Sequence, residues 1–170
     1  MVLLLPSLLF GCGFTLGVES DFAEGSDGCA GAGALDADFA STLEPSGCQY
    51  RITAVGTNLR LLLDVPAFAD ALTDGAAAAT YTLPDDTVRL SVEEGCDLEV
   101  GWCGVDGTPT IFTTYTPTAG TVTVSVTEGA SGDLLATVTF DGVTFEDTEG
   151  AHLAMNPLTW TDVPLHGMDE

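Results

Sequence analysis

Lysine is absent from this sequence, and arginine occurs only at Arg51, Arg60 and Arg89, against 26 aspartate and glutamate residues. The formal net charge is therefore −23 at pH 7. A surface of this sign repels nucleic acid and anionic lipid headgroups, because binding phosphates requires clustered basic side chains. The composition excludes nucleic acid as a partner. It leaves three interpretations: solubility of a β-rich domain, binding of divalent cations, and adaptation to high salt, where the Debye length falls to about 3 Å.

Histidine is also scarce, with only His152 and His166 to act as the base that a nucleophile needs. The chain has no Gly-x-Ser-x-Gly motif. Glycoside hydrolysis by a carboxylate pair is an alternative, but aromatic residues that could stack on sugar rings are few. We expect each of these aromatic residues to lie in the hydrophobic core or to cap it. They are Trp102, Trp160, Tyr81 and Tyr115. The sequence predicts that the protein is not an enzyme.

The one long hydrophobic run is N-terminal, covering residues 2–11 and ending before Cys12. A membrane-spanning helix needs about 20 apolar residues, so this run predicts an export signal instead. Its last residues, Leu9-Phe10-Gly11-Cys12, resemble the lipobox of bacterial lipoproteins. The resemblance implies that residues 1–11 are removed and that Cys12, carrying several acyl chains, anchors the protein to a membrane. Gly13 after the cysteine favours the outer membrane or cell surface. The alternative is a buried N-terminal strand with a free thiol.

Residues 12–47 predict a flexible acidic tether, because the region is rich in Gly, Ala, Ser and acids and lacks apolar surface to bury. One β domain follows over residues 48–165, and residues 166–170 form an acidic tail. The sequence as a whole looks like an uncharacterised bacterial lipoprotein with a small all-β domain.

Apart from Cys12, the cysteines are Cys29, Cys48, Cys96 and Cys103. An even number suits two disulfides in an oxidising compartment, each worth about 2–3 kcal/mol through loop closure. Three connectivities are open, and we favour Cys96–Cys103 with Cys29–Cys48 because each pair is local. A zinc site is the weaker interpretation, since no C-x2-C pair is present.

Alternation of apolar and polar residues predicts strands over most of the domain. The clearest case is Thr121–Thr127, where three valines alternate with hydroxyl residues. With turn residues recurring about every 8–12 positions, the pattern predicts an antiparallel β-sandwich of about nine to ten strands, Greek-key (immunoglobulin-like) or jelly-roll-like. Residues 59–65 are predicted as a strand, and residues 67–72 as a single helical turn.

Asp141-Gly142 predicts a tight hairpin, because a type I′ turn needs two positions of positive φ. A two-residue loop would pair Phe140 with Val143 and Val138 with Phe145. All four side chains would then lie on one face.

Calcium is the only cofactor that the sequence suggests, and no other is predicted. Calcium prefers six to eight oxygen ligands from a loop. Glu93, Glu94 and Asp97 form the acidic cluster nearest to a predicted disulfide and are the first candidates, although no EF-hand motif is present.

The sequence predicts a non-catalytic, membrane-anchored, extracytoplasmic lipoprotein that acts as an envelope binding or structural module. Its partner would be a protein or a glycan. A calcium-dependent binding domain and a carbohydrate-active enzyme are the alternatives.

Intact-mass spectrometry of the exported protein tests these expectations. We expect a chain that begins at lipid-modified Cys12 and has no free thiol at the other four cysteines. A cytosolic chain with its initiator methionine, no lipid and four free thiols would contradict both the predicted export and the predicted disulfides.

Overall fold

A computed structural model describes residues 35–48, 51–99 and 107–166 of the chain. A short 3₁₀ turn, nine strands and one α-helix make up this part. In chain order they are the 3₁₀ turn (Phe39–Thr42), β1 (Glu44–Cys48), β2 (Arg51–Val55), β3 (Leu59–Asp64), α1 (Pro66–Asp74), β4 (Ala77–Thr82), β5 (Arg89–Cys96), β6 (Thr110–Glu128), β7 (Leu134–Glu146), β8 (His152–Ala154) and β9 (Leu158–His166).

Seven strands form a closed ring, in the order β6, β5, β3, β2, β1, β9, β7 and back to β6. β4 lies beside the second half of β6, and β8 beside the end of β7. All pairs are antiparallel except β1 with β9. The all-β class is confirmed. The ladder, however, closes into a barrel, and it does not divide into the two separate sheets that a sandwich requires.

The ring closes because β6 and β7 are long and serve several neighbours. The first part of β6 pairs with β5, its second part pairs with β4, and β7 lies along its other side. β7 pairs in turn with β9. These two strands join what would otherwise be two sheets. The alternation of residues within one strand does not show how many other strands it pairs with.

The core fills the inside of the ring. As predicted, Val122, Val124 and Val126 of β6 are buried on one face. Trp160 is also buried and lies edge-to-face against Phe140, with ring centroids 5.0 Å apart. The other fully buried large side chains are Phe68, Phe145, Ile52, Leu61, Leu63, Val65, Val92 and Val138. Tyr81 and Tyr115 are partly buried and pack against this core. Trp160, Tyr81 and Tyr115 therefore lie in or against the core, as expected.

α1 is longer than the single turn that the sequence predicts. Pro66 occupies the first turn, where its fixed φ favours helix and its missing N–H costs nothing. The helix ends when the N–H of Gly75 bonds to the carbonyl of Ala71 at 2.8 Å. Phe68 and Ala71 are fully buried, so α1 packs into the core.

The predicted hairpin at Asp141-Gly142 does not form. β7 continues through these residues and stays paired with β6 on both sides of them. Ala119 pairs with Thr144 and Thr121 with Asp141, so Gly120 alone lies opposite two residues of β7. This is a β-bulge, which bends the strand pair. The Asp-Gly pair, which can adopt the backbone conformation of a tight turn, here lies at a bend within a continuous strand.

The predicted face of this segment is nevertheless correct. Val138, Phe140, Val143 and Phe145 are all fully buried. Burial follows the alternation along β7, and the one extra residue at the bulge shifts the buried positions from 138 and 140 to 143 and 145.

The folded domain begins earlier than predicted. Phe39, Ala40 and Leu43 are buried, and β1 pairs with β2 from Glu44 onward. Residues 35–47 of the predicted tether therefore belong to the barrel, because three apolar side chains within a short turn are enough to anchor it. At the other end, β9 extends to His166, the first residue of the predicted tail. Cys12, Cys29, Trp102 and Cys103 lie outside the described residues.

The bulge makes a stability prediction. A methyl group on Gly120 would lie 2.5 Å from the Cα atom of Val143, and the φ of Gly120 is +112°. We expect Gly120→Ala to lower the free energy of unfolding by about 3 kcal/mol, combining overpacking with backbone strain. Gly142 also has a positive φ, +60°, but a methyl group there meets nothing within 4 Å.

Gly142→Ala is therefore the matched control and should cost only about 1–2 kcal/mol. Chemical denaturation of both variants measures the difference. Equal losses would show that close contact at Gly120 is unimportant.

Candidate functional site

A second bulge, between β5 and β6, exposes two large apolar side chains. Glu94 pairs with Thr113 and Gly95 with Ile111, so Phe112 is an extra residue on β6. In a regular strand, neighbouring side chains point to opposite faces. Here Ile111 and Phe112 are 42% and 52% exposed, and they are the exposed large hydrophobics of the described residues.

Gly95 makes this bulge possible. A Cβ atom at this position would lie 2.1 Å from the carbonyl oxygen of Thr110 and 3.0 Å from the Cα atom of Ile111. β6 therefore approaches β5 so closely that only glycine fits. The conformation that presents Phe112 to solvent depends on this contact.

β7 ends beside this segment. The ladder between β6 and β7 starts with Thr116 opposite Glu146, and β7 then turns away. In the part of the chain that the structure describes, no strand pairs with residues 110–115 on the side that β7 has left. One edge of β6 is open there.

A cleft of about 330 Å³ lies between this open edge and the loop after β7. We call it the β6 cleft. It is lined by Ile111, Phe112, Thr113, Thr114, Asp147, Thr148 and Glu149. Its volume is at the lower end of the range of ligand sites, about 300–1,000 Å³.

The acidic wall of the β6 cleft is a tight turn. The Oδ1 atom of Asp147 accepts hydrogen bonds from the backbone N–H groups of Glu149 and Ala151, both at 2.8 Å. Gly150 donates its N–H to the carbonyl of Asp147 at 3.2 Å. These bonds hold the loop in one conformation, so the carboxylates are displayed on a rigid support.

Negative charges in this region affect the pKa of the Tyr115 phenol. Its pKa is raised above 10.0, first by partial burial and then by the charges of Glu94 and Asp147. Asp147 of the cleft and Glu94 of β5 are therefore both close enough to Tyr115 to raise its pKa.

The predicted cation site is not assembled. Glu93 and Glu94 are neighbours on β5 and point to opposite sides of it. Glu93 faces outward and accepts from Nε of Arg60 at 2.8 Å, whereas Glu94 is only 9% exposed and faces inward. Asp97 is exposed beyond the end of the strand. Among the described residues, no group of three or more His, Cys, Asp or Glu side chains could hold a metal ion.

Arg60 is buried, with 7% exposure, although it lies on the outward face of β3. Its Nη1 donates to the carbonyl of Leu98 at 2.7 Å, and its other nitrogens bind Glu93. Leu98 is itself buried. The ion pair therefore fixes the segment after β5 over the outer face of the barrel.

Two of the predicted disulfide cysteines lie in the described part. Cys48 ends β1 and Cys96 ends β5. The cysteines favoured as their partners, Cys29 and Cys103, lie outside that part, so the disulfides and their connectivity stay a prediction.

A second depression, of about 470 Å³, lies on the outer face of β3, β5 and β6. Glu93 there binds Arg60, and Asp85 accepts hydrogen bonds from the hydroxyl and backbone N–H of Thr87, which lower its pKa. It contains neither of the exposed hydrophobics, so it is the weaker candidate.

The two walls of the β6 cleft are partly recognisable in the sequence. Glu146, Asp147 and Glu149 stand out as an acidic loop, and Ile111-Phe112 interrupts the alternation before Tyr115. Nothing in the sequence indicates that the two segments meet.

Comparison with protein-family models, with curated proteins and with solved structures finds no significant match to the chain. Among the described residues there is no helix with the length and apolar character that crossing a bilayer demands. The function therefore has to be inferred from the site itself.

Titration of Tyr115 tests the electrostatics of the cleft. A raised pKa means that the folded state keeps its phenol proton where the unfolded state loses it. The contribution of Tyr115 to stability should be constant below pH 10 and be lost as the pH rises above it. The absorbance titration of the native protein, minus that of Tyr115→Phe, isolates this group.

Asp147→Asn should move the pKa of Tyr115 toward its ordinary value, because one negative charge is removed. Asp162→Asn, which removes a charge from β9, should leave it unchanged. Equal effects of the two variants would show that the pKa of Tyr115 responds to the net charge of the protein and not to Asp147 in particular.

Proposed function

We propose that this chain is a non-catalytic envelope module that is anchored to a membrane by lipid on Cys12 and binds a basic partner in the β6 cleft. The observation that carries the proposal is the exposure of Ile111 and Phe112 beside a rigid acidic turn. Exposed apolar side chains next to a defined polar rim are typical of interaction sites.

The charge of the partner follows from the charge of the chain. Among the described residues that line the β6 cleft none is basic, and the net charge is −23. Arg51 and Arg60 are paired with Asp64 and Glu93, away from the cleft. A partner with Lys or Arg side chains would be attracted over distance and held by Asp147 and Glu149. Phe112 offers an aromatic face to a cation as well.

Catalysis has little support from the groups in the cleft. A glycosidase needs two carboxyl groups on either side of the scissile bond. Asp147 and Glu149 belong to one turn, and the opposite wall, residues 111–114, carries no ionisable side chain. The lining residues that the structure describes include no histidine, cysteine or lysine. This arrangement suits binding and not bond cleavage.

The anchor is supported by the lipobox-like residues Leu9–Cys12 alone. Lipid at that position would leave residues 13–34 between the membrane and the first described residue. Such a module would present its cleft at the outer membrane or the cell surface, where a protein or a glycan carrying amino groups could reach it.

Binding of a basic apolar peptide to the purified full chain tests the function. The probe is a capped peptide of about ten residues that alternates lysine and valine, which is long enough for one strand. We expect saturable binding in calorimetry. Phe112→Ser should weaken it about tenfold, the loss expected when a buried aromatic contact is removed.

Glu149→Lys should abolish binding at low ionic strength, because it reverses a charge in the cleft. Glu128→Lys, at the other end of β6, makes the same change in net charge and is the matched control. If both lysine variants bind equally, only the overall charge matters and the proposed site is wrong. If the wild-type chain does not bind the probe, the proposed function is wrong.

A further inference from the structure

We propose that the partner binds as an added β-strand along the open edge of β6, next to residues 110–115. The inference rests on the proposed function and specifies how the β6 cleft recognises its partner. It predicts that the ligand is an extended polypeptide segment with alternating basic and apolar side chains.

The open edge is the first argument. β5 satisfies one side of residues 110–115, and β7 starts on the other side only at Thr116. Each strand edge carries backbone N–H and C=O groups that pair readily with another strand. In the described part of the chain no strand occupies this place. An incoming segment antiparallel to β6 would continue the line of β7 after Glu146.

The lack of protection at this edge is the second argument. Proteins usually blunt exposed strand edges with Lys, Pro, inward charges or β-bulges. The segment Thr110–Tyr115 contains no proline and no charged residue. The bulge at Phe112 blunts the first part of this edge, which leaves Thr113–Tyr115 as the unbroken and unprotected part. A short strand is therefore the expected form of the ligand.

The position of the cleft is the third argument. It lies between this edge and the turn at Asp147–Glu149, so a segment paired with β6 would also contact the acidic wall. Successive side chains of a strand point to opposite faces. In an alternating segment, one set can cover Ile111 and Phe112 while the basic set reaches Asp147 and Glu149.

The net charge of the chain indicates which kind of segment binds at the open edge of β6. A second copy of this chain carries the same net charge of −23, and two such molecules repel each other at low ionic strength. A basic segment is attracted, and the attraction reaches about 30 Å at 0.01 M salt but only about 8 Å at 0.15 M. We therefore assign the edge to a basic segment of another protein.

Amide hydrogen exchange of the full chain, with and without the lysine–valine peptide, tests strand addition. We expect slower exchange, by about tenfold or more, within residues 111–115 of the complex, because bound edge amides are protected. The key control is the same peptide with alternate backbone nitrogens methylated. It keeps the charges and the valines but cannot complete a ladder.

The two peptides separate the two proposals without altering the protein. If the unmethylated peptide alone binds and protects the edge, strand addition is supported. If both peptides bind equally and the edge stays unprotected, the cleft binds basic ligands but strand addition is wrong. If neither binds, the proposed function itself is wrong.

Sedimentation of the chain alone provides the remaining comparison. We expect a monomer at low salt. A dimer that Phe112→Ser dissociates would assign the edge to a second copy and overturn the assignment to a basic partner.

Discussion

The close approach of β6 to its neighbours is the constraint on which the structure depends. β6 has to leave β5 and meet β4 on one side while it remains paired with β7 on the other. It bends at Gly120, whose carbonyl accepts the N–H of Leu83 at 2.9 Å. It approaches β5 at Gly95, where no side chain would fit. The first contact closes the barrel, and the second exposes Phe112.

The distribution of the few positive charges follows from the same architecture. Register places Asp64 between Arg51 on β2 and Arg89 on β5, and Arg60 opposite Glu93. All three arginines therefore lie on neighbouring strands of one part of the ring. The acids around the β6 cleft have no basic side chain among the cleft residues. The three arginines therefore join neighbouring strands, and none of them lines the β6 cleft.

Properties of single strands could be predicted from the sequence. The valines of β6, the buried face of Val138–Phe145 and the strand at residues 59–64 all follow from alternation. Properties that depend on two segments could not. Asp141-Gly142 has the same local chemistry in a hairpin and in a bulge, and only the length of β7 decides between them. Glu93 and Glu94 look like a cluster in the sequence but are separated by the strand itself. The β6 cleft requires Gly95 to meet Thr110, a contact that no local pattern reveals.

The parallel pairing of β1 with β9 brings residues from both ends of the domain together, with Gly47 opposite Leu165. A ribosome makes β1 first and β9 last, so the ring has to wait for the final residues before it can be completed. Until then, β1 and β7 each lack a neighbour and are open to pairing with another nascent molecule. Folding of this kind, dominated by contacts distant in sequence, is slow. Strong mutual repulsion between the acidic chains would keep such half-finished molecules apart during that delay.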